Sequence, residues 1–97
     1  MDSLQPPAEL SVSVGQEFRI EFEGYPGSGA IWRCVSDGGL VLIDQTVSAQ
    51  DESIGSPVIQ VFVFRADHPR LYQVSFELRR EWEKSPRKRK EIAVTAS

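Results

Sequence analysis

The sequence predicts one all-β domain over residues 1–97, an immunoglobulin-like antiparallel β-sandwich of about seven strands. Apolar and polar residues alternate with a period of two along much of the chain. The glycines and prolines fall between the alternating segments, where residues that interrupt a strand ladder belong. No window of about twelve residues keeps an apolar stripe at helical spacing. An up-and-down β-barrel is the alternative architecture that fits this pattern.

The first four predicted strands differ in how clearly they alternate. Residues 10–14 form a short candidate, whereas residues 17–23 alternate phenylalanine or isoleucine with charged residues. Residues 30–35 form the third candidate, and the fourth is the short apolar run 40–43, which follows a pair of glycines. We expect Phe22 to point into the core because it lies on the apolar side of its strand.

The last three predicted strands include the most buried one. Residues 58–64 are apolar on both parities except at Gln60, a pattern typical of a central strand covered on both faces. Residues 72–79 alternate strictly, which predicts that Phe76 shares a core with the phenylalanines of the second strand. Residues 91–95 complete the set.

The composition is that of an ordinary globular domain. Hydrophobic residues make up 40% of the chain and charged residues 26%, which argues against disorder. The longest apolar runs have four residues, so no membrane contact is expected. Residues 1–8 are expected to be extended or flexible and show no leader pattern. We expect a cytoplasmic location if the chain is complete, and a periplasmic or secreted one if a leader has been removed.

An enzyme is hard to assemble from these residues. His68, the single histidine, precedes a proline in a predicted turn, so we expect it to be exposed. Cys34 shares strand parity with Trp32, which favours a small core residue over a nucleophile. One cysteine and one histidine are too few for a zinc site. We therefore predict a protein that is not an enzyme and takes no cofactor or metal.

A basic run occupies residues 87–90, in a chain whose net charge is −3. Residues 79–97 carry seven Lys and Arg against three Asp and Glu, so nucleic-acid contact is one alternative. Nucleic-acid binders of this fold class usually add exposed aromatic residues for base stacking, and only Trp82 is near. We interpret the run as a solvated hairpin arm whose charges discourage edge pairing, and expect no nucleic-acid partner.

Three loops have distinctive compositions. They are residues 24–29, which include a proline between glycines, residues 50–57, and residues 79–90, which include Trp82. With the strands lettered A to G, these loops join B to C, D to E and F to G. Since alternate connections of such a sandwich leave the same end, we expect all three there. A tryptophan and proline-stiffened loops at one end favour a protein-binding surface.

At these loops the chain resembles the chagasin family, protein inhibitors of papain-like cysteine proteases, over about residues 10–94. The family's B–C pattern Asn-Pro-Thr-Thr-Gly-Phe maps onto residues 25–30, where the proline and the second glycine match, and a matching tryptophan follows at position 32. In the D–E loop only Gly55 of a glycine-rich pattern remains. The family's Arg-Pro-Trp pattern of the F–G loop maps onto Arg80 and Trp82, with Glu81 replacing the proline.

The resemblance implies a reversible, non-covalent inhibitor that occludes the protease cleft with these three loops. It predicts a papain-like cysteine protease as the partner, and we expect the inhibitor to be a monomer. The protease-binding residues carried over are Tyr25, Pro26, Gly27, Ser28, Gly29, Gly55, Arg80 and Trp82. The chain departs from the family at Tyr25, Gly27, Ala30 and Glu81. A related sandwich that binds a protein or peptide without inhibiting a protease is therefore the alternative function.

Overall fold

The computed structural model describes residues 6–24, 30–49, 58–80 and 82–97, which form seven β-strands. This confirms the all-β prediction, and each predicted segment contributes one strand. The strands are β1 (Glu9–Val12), β2 (Glu17–Gly24), β3 (Ala30–Ser36), β4 (Val41–Ala49), β5 (Val58–Arg65), β6 (Leu71–Arg80) and β7 (Lys88–Ala96).

Two sheets form the sandwich, one of four strands in the order β1-β7-β6-β3 and one of three in the order β2-β5-β4. β2, β5 and β4 correspond to strands B, E and D of an immunoglobulin-like domain, and β3, β6 and β7 to strands C, F and G. The pairs are antiparallel except for β1, which runs parallel to β7. The short first strand therefore extends the four-stranded sheet.

The core is a cluster of aromatic rings between the two sheets. Phe22 and Phe76 are fully buried, as predicted, and their ring centroids lie 4.8 Å apart. Phe22 also stacks on Trp32 at 4.4 Å, so one ring of the three-stranded sheet contacts two rings of the other. Such pairs add about 0.5–1.5 kcal/mol each beyond the burial of their area. The aromatic cluster thus fixes how the sheets face each other.

A tyrosine corner closes the connection between β5 and β6. The hydroxyl of Tyr72 donates to the His68 carbonyl at 2.9 Å and accepts from the His68 N–H at 3.2 Å. A tyrosine near the start of strand F that bonds a few residues upstream is characteristic of immunoglobulin-like sandwiches, as is a buried tryptophan on strand C, here Trp32. His68 itself is exposed in this turn, as predicted.

The turn between β3 and β4 depends on its glycines. Gly38 has φ of 65° and Gly39 has φ of 105°, both in the left-handed region that L side chains rarely adopt. A side chain at Gly38 would also collide with the backbone of Gln73. Asp37 stabilises the turn because its carboxylate accepts the Gly39 N–H at 2.9 Å.

Two strands extend beyond their predicted bounds. β4 continues to Ala49 rather than ending at residue 43, and a bulge between Leu42 and Asp44 shifts the side-chain parity. Residues 42–47 are all exposed, so this part of the strand buries neither face and lacks the apolar alternation that predicts a strand. β7 begins at Lys88 rather than at residue 91 because its basic residues pair with the end of β6.

The start of the chain packs along β7 in the part that is described. Of residues 1–8, expected to be extended or flexible, residues 6–8 are described. Pro6 is buried, and the Ala8 carbonyl accepts a hydrogen bond from the Ala93 N–H at 2.9 Å. These residues are therefore attached to the sandwich.

Candidate functional site

The strand ends that carry the three loops lie at one end of the sandwich. Gly24, the last residue of β2, pairs with Val58, the first of β5, and Val58 also pairs with Ala49, the last of β4. In the other sheet Ala30, the first residue of β3, pairs with Arg80, the last of β6. The two sheets meet here, because the backbone of Trp32, two residues from Ala30, bonds the side chain of Gln60, two residues from Val58. The predicted common end is therefore correct. We call these five residues the loop roots.

Most of the sequence-predicted contact residues lie outside the described part of the chain. These are Tyr25, Pro26, Gly27, Ser28, Gly29 and Gly55, together with Glu81, where the chain departs from the family pattern. Arg80 and Trp82 are described, and both lie at the loop end of the β6–β7 hairpin. The structure thus places the F–G part of the predicted site.

Trp82 presents a large apolar surface to solvent. It is 72% exposed, whereas Trp32, the other tryptophan, is 4% exposed in the core. The guanidinium carbon of Arg80 lies 5.8 Å from the centroid of the Trp82 ring, within the range of a cation–π contact. An exposed tryptophan beside an arginine is a combination that often dominates protein–protein contacts.

A carboxylate that the sequence analysis did not single out organises this hairpin. Glu83 accepts the backbone N–H of Arg80 at 2.9 Å through Oε1, and the same oxygen accepts from Arg87 Nε at 3.1 Å. The Glu83 N–H in turn donates to the Arg80 carbonyl at 3.1 Å. The Arg80 N–H, with help from Arg87, holds the pKa of Glu83 below its ordinary value. Glu83 therefore stays ionised and closes the turn that carries Trp82.

The basic run lies on the β6–β7 hairpin and is exposed at residues 87–89, in agreement with the interpretation as a solvated hairpin arm. Residues 88–90 of β7 pair with residues 76–78 of β6. Arg89 Nε lies 3.5 Å from a carboxylate oxygen of Glu77, its cross-strand neighbour. The backbone of these residues is therefore paired in the sheet, while Lys88 and Arg89 remain exposed.

The single cysteine is not prepared for nucleophilic chemistry. Cys34 is partly buried and packs against the core, and burial raises the pKa of its thiol above the ordinary value. A nucleophilic cysteine needs the opposite shift. Within the described ranges, no group of three His, Cys, Asp or Glu side chains could hold a metal ion. A helix long and apolar enough to cross a bilayer is likewise not found in the described part of the chain.

Comparison with protein families gives a match that covers most of the chain. The sequence profile described as chagasin family peptidase inhibitor I42 matches residues 11–96. A search of curated proteins gives no significant match. The matched residues run from β1 to the end of β7 and include all three loop segments.

Solved structures with the same fold share little sequence identity with the chain. The crystal structure of the cysteine protease inhibitor EhICP2 from Entamoeba histolytica is 19% identical, with a TM-score of 0.79 over 95% of this chain and 88% of that chain. The solution structure of amebosin is 16% identical, with a TM-score of 0.78 over 96% and 91%. PbICP-C, solved in complex with falcipain-2, is 21% identical, with a TM-score of 0.68 over 96% and 92%.

Proposed function

The chain belongs to the chagasin family of peptidase inhibitors, and we propose that it inhibits papain-like cysteine proteases by covering their active-site cleft with the loop end. The observation that carries the proposal is the alignment of the loop roots. Gly24, Ala49 and Val58 lie side by side in one sheet, and Ala30 lies beside Arg80 in the other. Three loops that start from adjacent strand ends can enter one cleft together.

Inhibition in this proposal is steric and needs no reaction. A protease cleaves a peptide only when the scissile carbonyl is aligned with the nucleophile at about 3–3.5 Å. Pro26 fixes its own φ, and Gly27 and Gly29 admit backbone conformations closed to other residues. Residues 25–29 would therefore fill the cleft without presenting an aligned bond.

The F–G hairpin supplies the anchor of the proposed contact. Trp82 already lies in solvent, so burying its ring against the protease requires little rearrangement of the inhibitor. Glu83 reduces the ordering cost further because its hydrogen bonds close the turn before binding. Arg80 would contribute a guanidinium for carbonyl or carboxylate groups at the rim.

Departures from the family pattern favour one alternative, a sandwich that binds a protein without inhibiting a protease. Tyr25 is bulky where the family has a small amide, and Glu81 replaces a proline that would stiffen the F–G loop. Inhibition and binding without inhibition differ in whether enzyme activity falls when the complex forms.

Titration of papain with the purified chain separates the two functions. We expect competitive inhibition, in which the apparent KM rises with inhibitor concentration and kcat stays constant, because substrate and inhibitor exclude each other from the cleft. The complex would be followed in parallel by isothermal calorimetry. Binding without loss of activity would favour the alternative, and no binding to papain-like proteases at micromolar concentration would contradict both the proposed partner and the proposed function.

A further inference from the structure

One polar side chain lies inside the otherwise apolar core of the described residues. Gln60, on the central strand β5, is 4% exposed and is the residue that interrupts the apolar pattern of that strand. Both ends of its amide bond the backbone of Trp32 in the opposite sheet. Oε1 accepts the Trp32 N–H and Nε2 donates to the Trp32 carbonyl, each at 2.9 Å.

The amide takes the place of a neighbouring strand. β3 is the edge strand of the four-stranded sheet, with β6 on one side. The Trp32 N–H and carbonyl bond Gln60, so they face away from β6. An unpaired buried backbone group costs about 1–3 kcal/mol. The two hydrogen bonds of Gln60 avoid this cost for the N–H and the carbonyl of Trp32. This joint, the Gln60 amide with the Trp32 backbone, ties the two sheets together.

The joint lies next to the roots of all three loops. Gln60 is two residues along β5 from Val58, and Trp32 is two residues along β3 from Ala30, which pairs with Arg80. Of the two remaining roots, Ala49 pairs with Val58, and a Cβ added to Gly24 would lie only 3.3 Å from Gln60 Oε1. The Gln60 amide therefore lies close to the strand ends on both sides of the B–C loop and to the strand end that follows the D–E loop. Ala30, two residues from Trp32, pairs with Arg80, the strand end from which the F–G loop starts.

We infer that Gln60 is a positioning residue of the inhibitor, which sets the relative placement of the loop roots and through them the affinity for the protease. The inference rests on the proposed function of the loop end. Three loops that must enter one cleft at once need fixed relative positions, since every loosened root adds an ordering cost on binding. Two hydrogen bonds between Gln60 and Trp32 join the two sheets at this end.

The test compares Gln60→Leu with a control that also loses stability, by truncation of a core side chain far from the loops. Val94, fully buried and toward the other end of β7, provides the control Val94→Ala. Gln60→Leu keeps the side-chain size but leaves both Trp32 groups without a partner. We expect its inhibition constant for papain to rise about tenfold or more, against less than about twofold for Val94→Ala. Equal inhibition constants in the two variants at equal stability would overturn the inference.

A double-mutant cycle tests whether Gln60 acts through the loops. If it does, Gln60→Leu weakens inhibition less in a Trp82→Ala background than in the wild type, because the anchor that it positions is already gone. Additive effects would mean that Gln60 does not position the F–G hairpin. Gly24→Ala pushes a methyl group toward the side-chain oxygen of Gln60 and should weaken inhibition to a smaller extent. It replaces Gln60→Leu in the test if that variant does not fold.

Hydrogen exchange decides the inference independently of inhibition. Should the wild type fail to inhibit any papain-like protease, the proposed function is wrong, but the positioning claim can still be measured on the free protein. We expect exchange at the backbone amides of Ile31 and Arg33 to be at least about tenfold faster in Gln60→Leu than in Val94→Ala. Equal exchange rates would overturn the positioning role.

Discussion

At the scale of single residues, the proposed contact depends most on the ring of Trp82. We expect Trp82→Ala to raise the inhibition constant for papain about thirtyfold, a loss of about 2 kcal/mol in binding free energy. The reason is that the ring, exposed in the free protein, would be buried against the protease in the complex. The free energy of unfolding should change by less than about 0.5 kcal/mol. Leu71, 64% exposed at the start of β6, the strand whose other end leads to Trp82, supplies the matched control Leu71→Ala. Equal effects of the two changes on inhibition would place the contact elsewhere.

The hydrogen bonds of Glu83 should make the stability of the hairpin that carries Trp82 depend on pH. Its pKa is lowered in the folded protein because it accepts the Arg80 N–H and the Arg87 side chain. The stabilisation is therefore fully present above the ordinary glutamate value of about 4.3 and is lost as the pH falls through the lowered value. An NMR titration should show the Arg80 amide resonance constant down to about that pH and moving below it.

The variant Glu83→Gln provides the control for this titration, since it keeps the side-chain size and cannot ionise. The movement of the Arg80 resonance at low pH should disappear in it. A transition of the wild-type resonance with a midpoint above the ordinary glutamate pKa would contradict the hydrogen-bonded arrangement of Glu83.

The register of the core is a further property of single residues that the sequence could predict. Phe22 and Phe76 lie in segments in which apolar and polar residues alternate strictly, and both side chains are fully buried. Truncating Phe76 to alanine should lower the free energy of unfolding by about 3–5 kcal/mol, measured by urea denaturation. Ser75, its partly exposed neighbour on the same strand, gives the control Ser75→Ala. A loss below about 1 kcal/mol at Phe76 would mean that the aromatic cluster is not the main core.

At the scale of elements, the stiffness of the F–G loop should set part of the affinity. We expect Glu81→Pro, which restores the family residue, to lower the inhibition constant severalfold by restricting the free loop. Arg80, the preceding residue, lies in a β-strand, the conformation that a following proline favours. Surface plasmon resonance should show the gain as slower dissociation. Weaker binding with unchanged stability would mean that the proline conformation does not fit the bound loop.

Strands were predictable from the sequence where one face meets the core and the other meets water. β2 and β6 alternate without interruption, and their predicted bounds lie within two residues of those observed. β4 was underestimated because residues 42–47 are all exposed and carry no apolar alternation. The start of β7 was missed because its basic residues carry no apolar alternation, and their strand conformation comes from pairing with β6.

At the scale of the whole molecule, the fold and its loop end could be predicted, whereas the interactions that hold the loop roots could not. Seven alternating segments with turn residues between them are enough to indicate a sandwich and to bring three loops to one end. The Gln60–Trp32 joint links residues 28 positions apart in sequence, so no local sequence pattern predicts it. Glu83 resembles any charged loop residue until the hairpin brings the Arg80 N–H to it.

A ¹⁹F NMR measurement on the chain labelled with 5-fluorotryptophan tests most directly whether Trp82 is buried against the protease. Its two tryptophans give two resonances, one from buried Trp32 and one from exposed Trp82. In a saturated complex with papain, the Trp82 resonance should shift and lose its frequency difference between H₂O and D₂O, while Trp32 stays unchanged. A small active-site competitor should restore the free spectrum. A Trp82 resonance that keeps its solvent isotope shift in the saturated complex would mean that the ring is not buried against the protease.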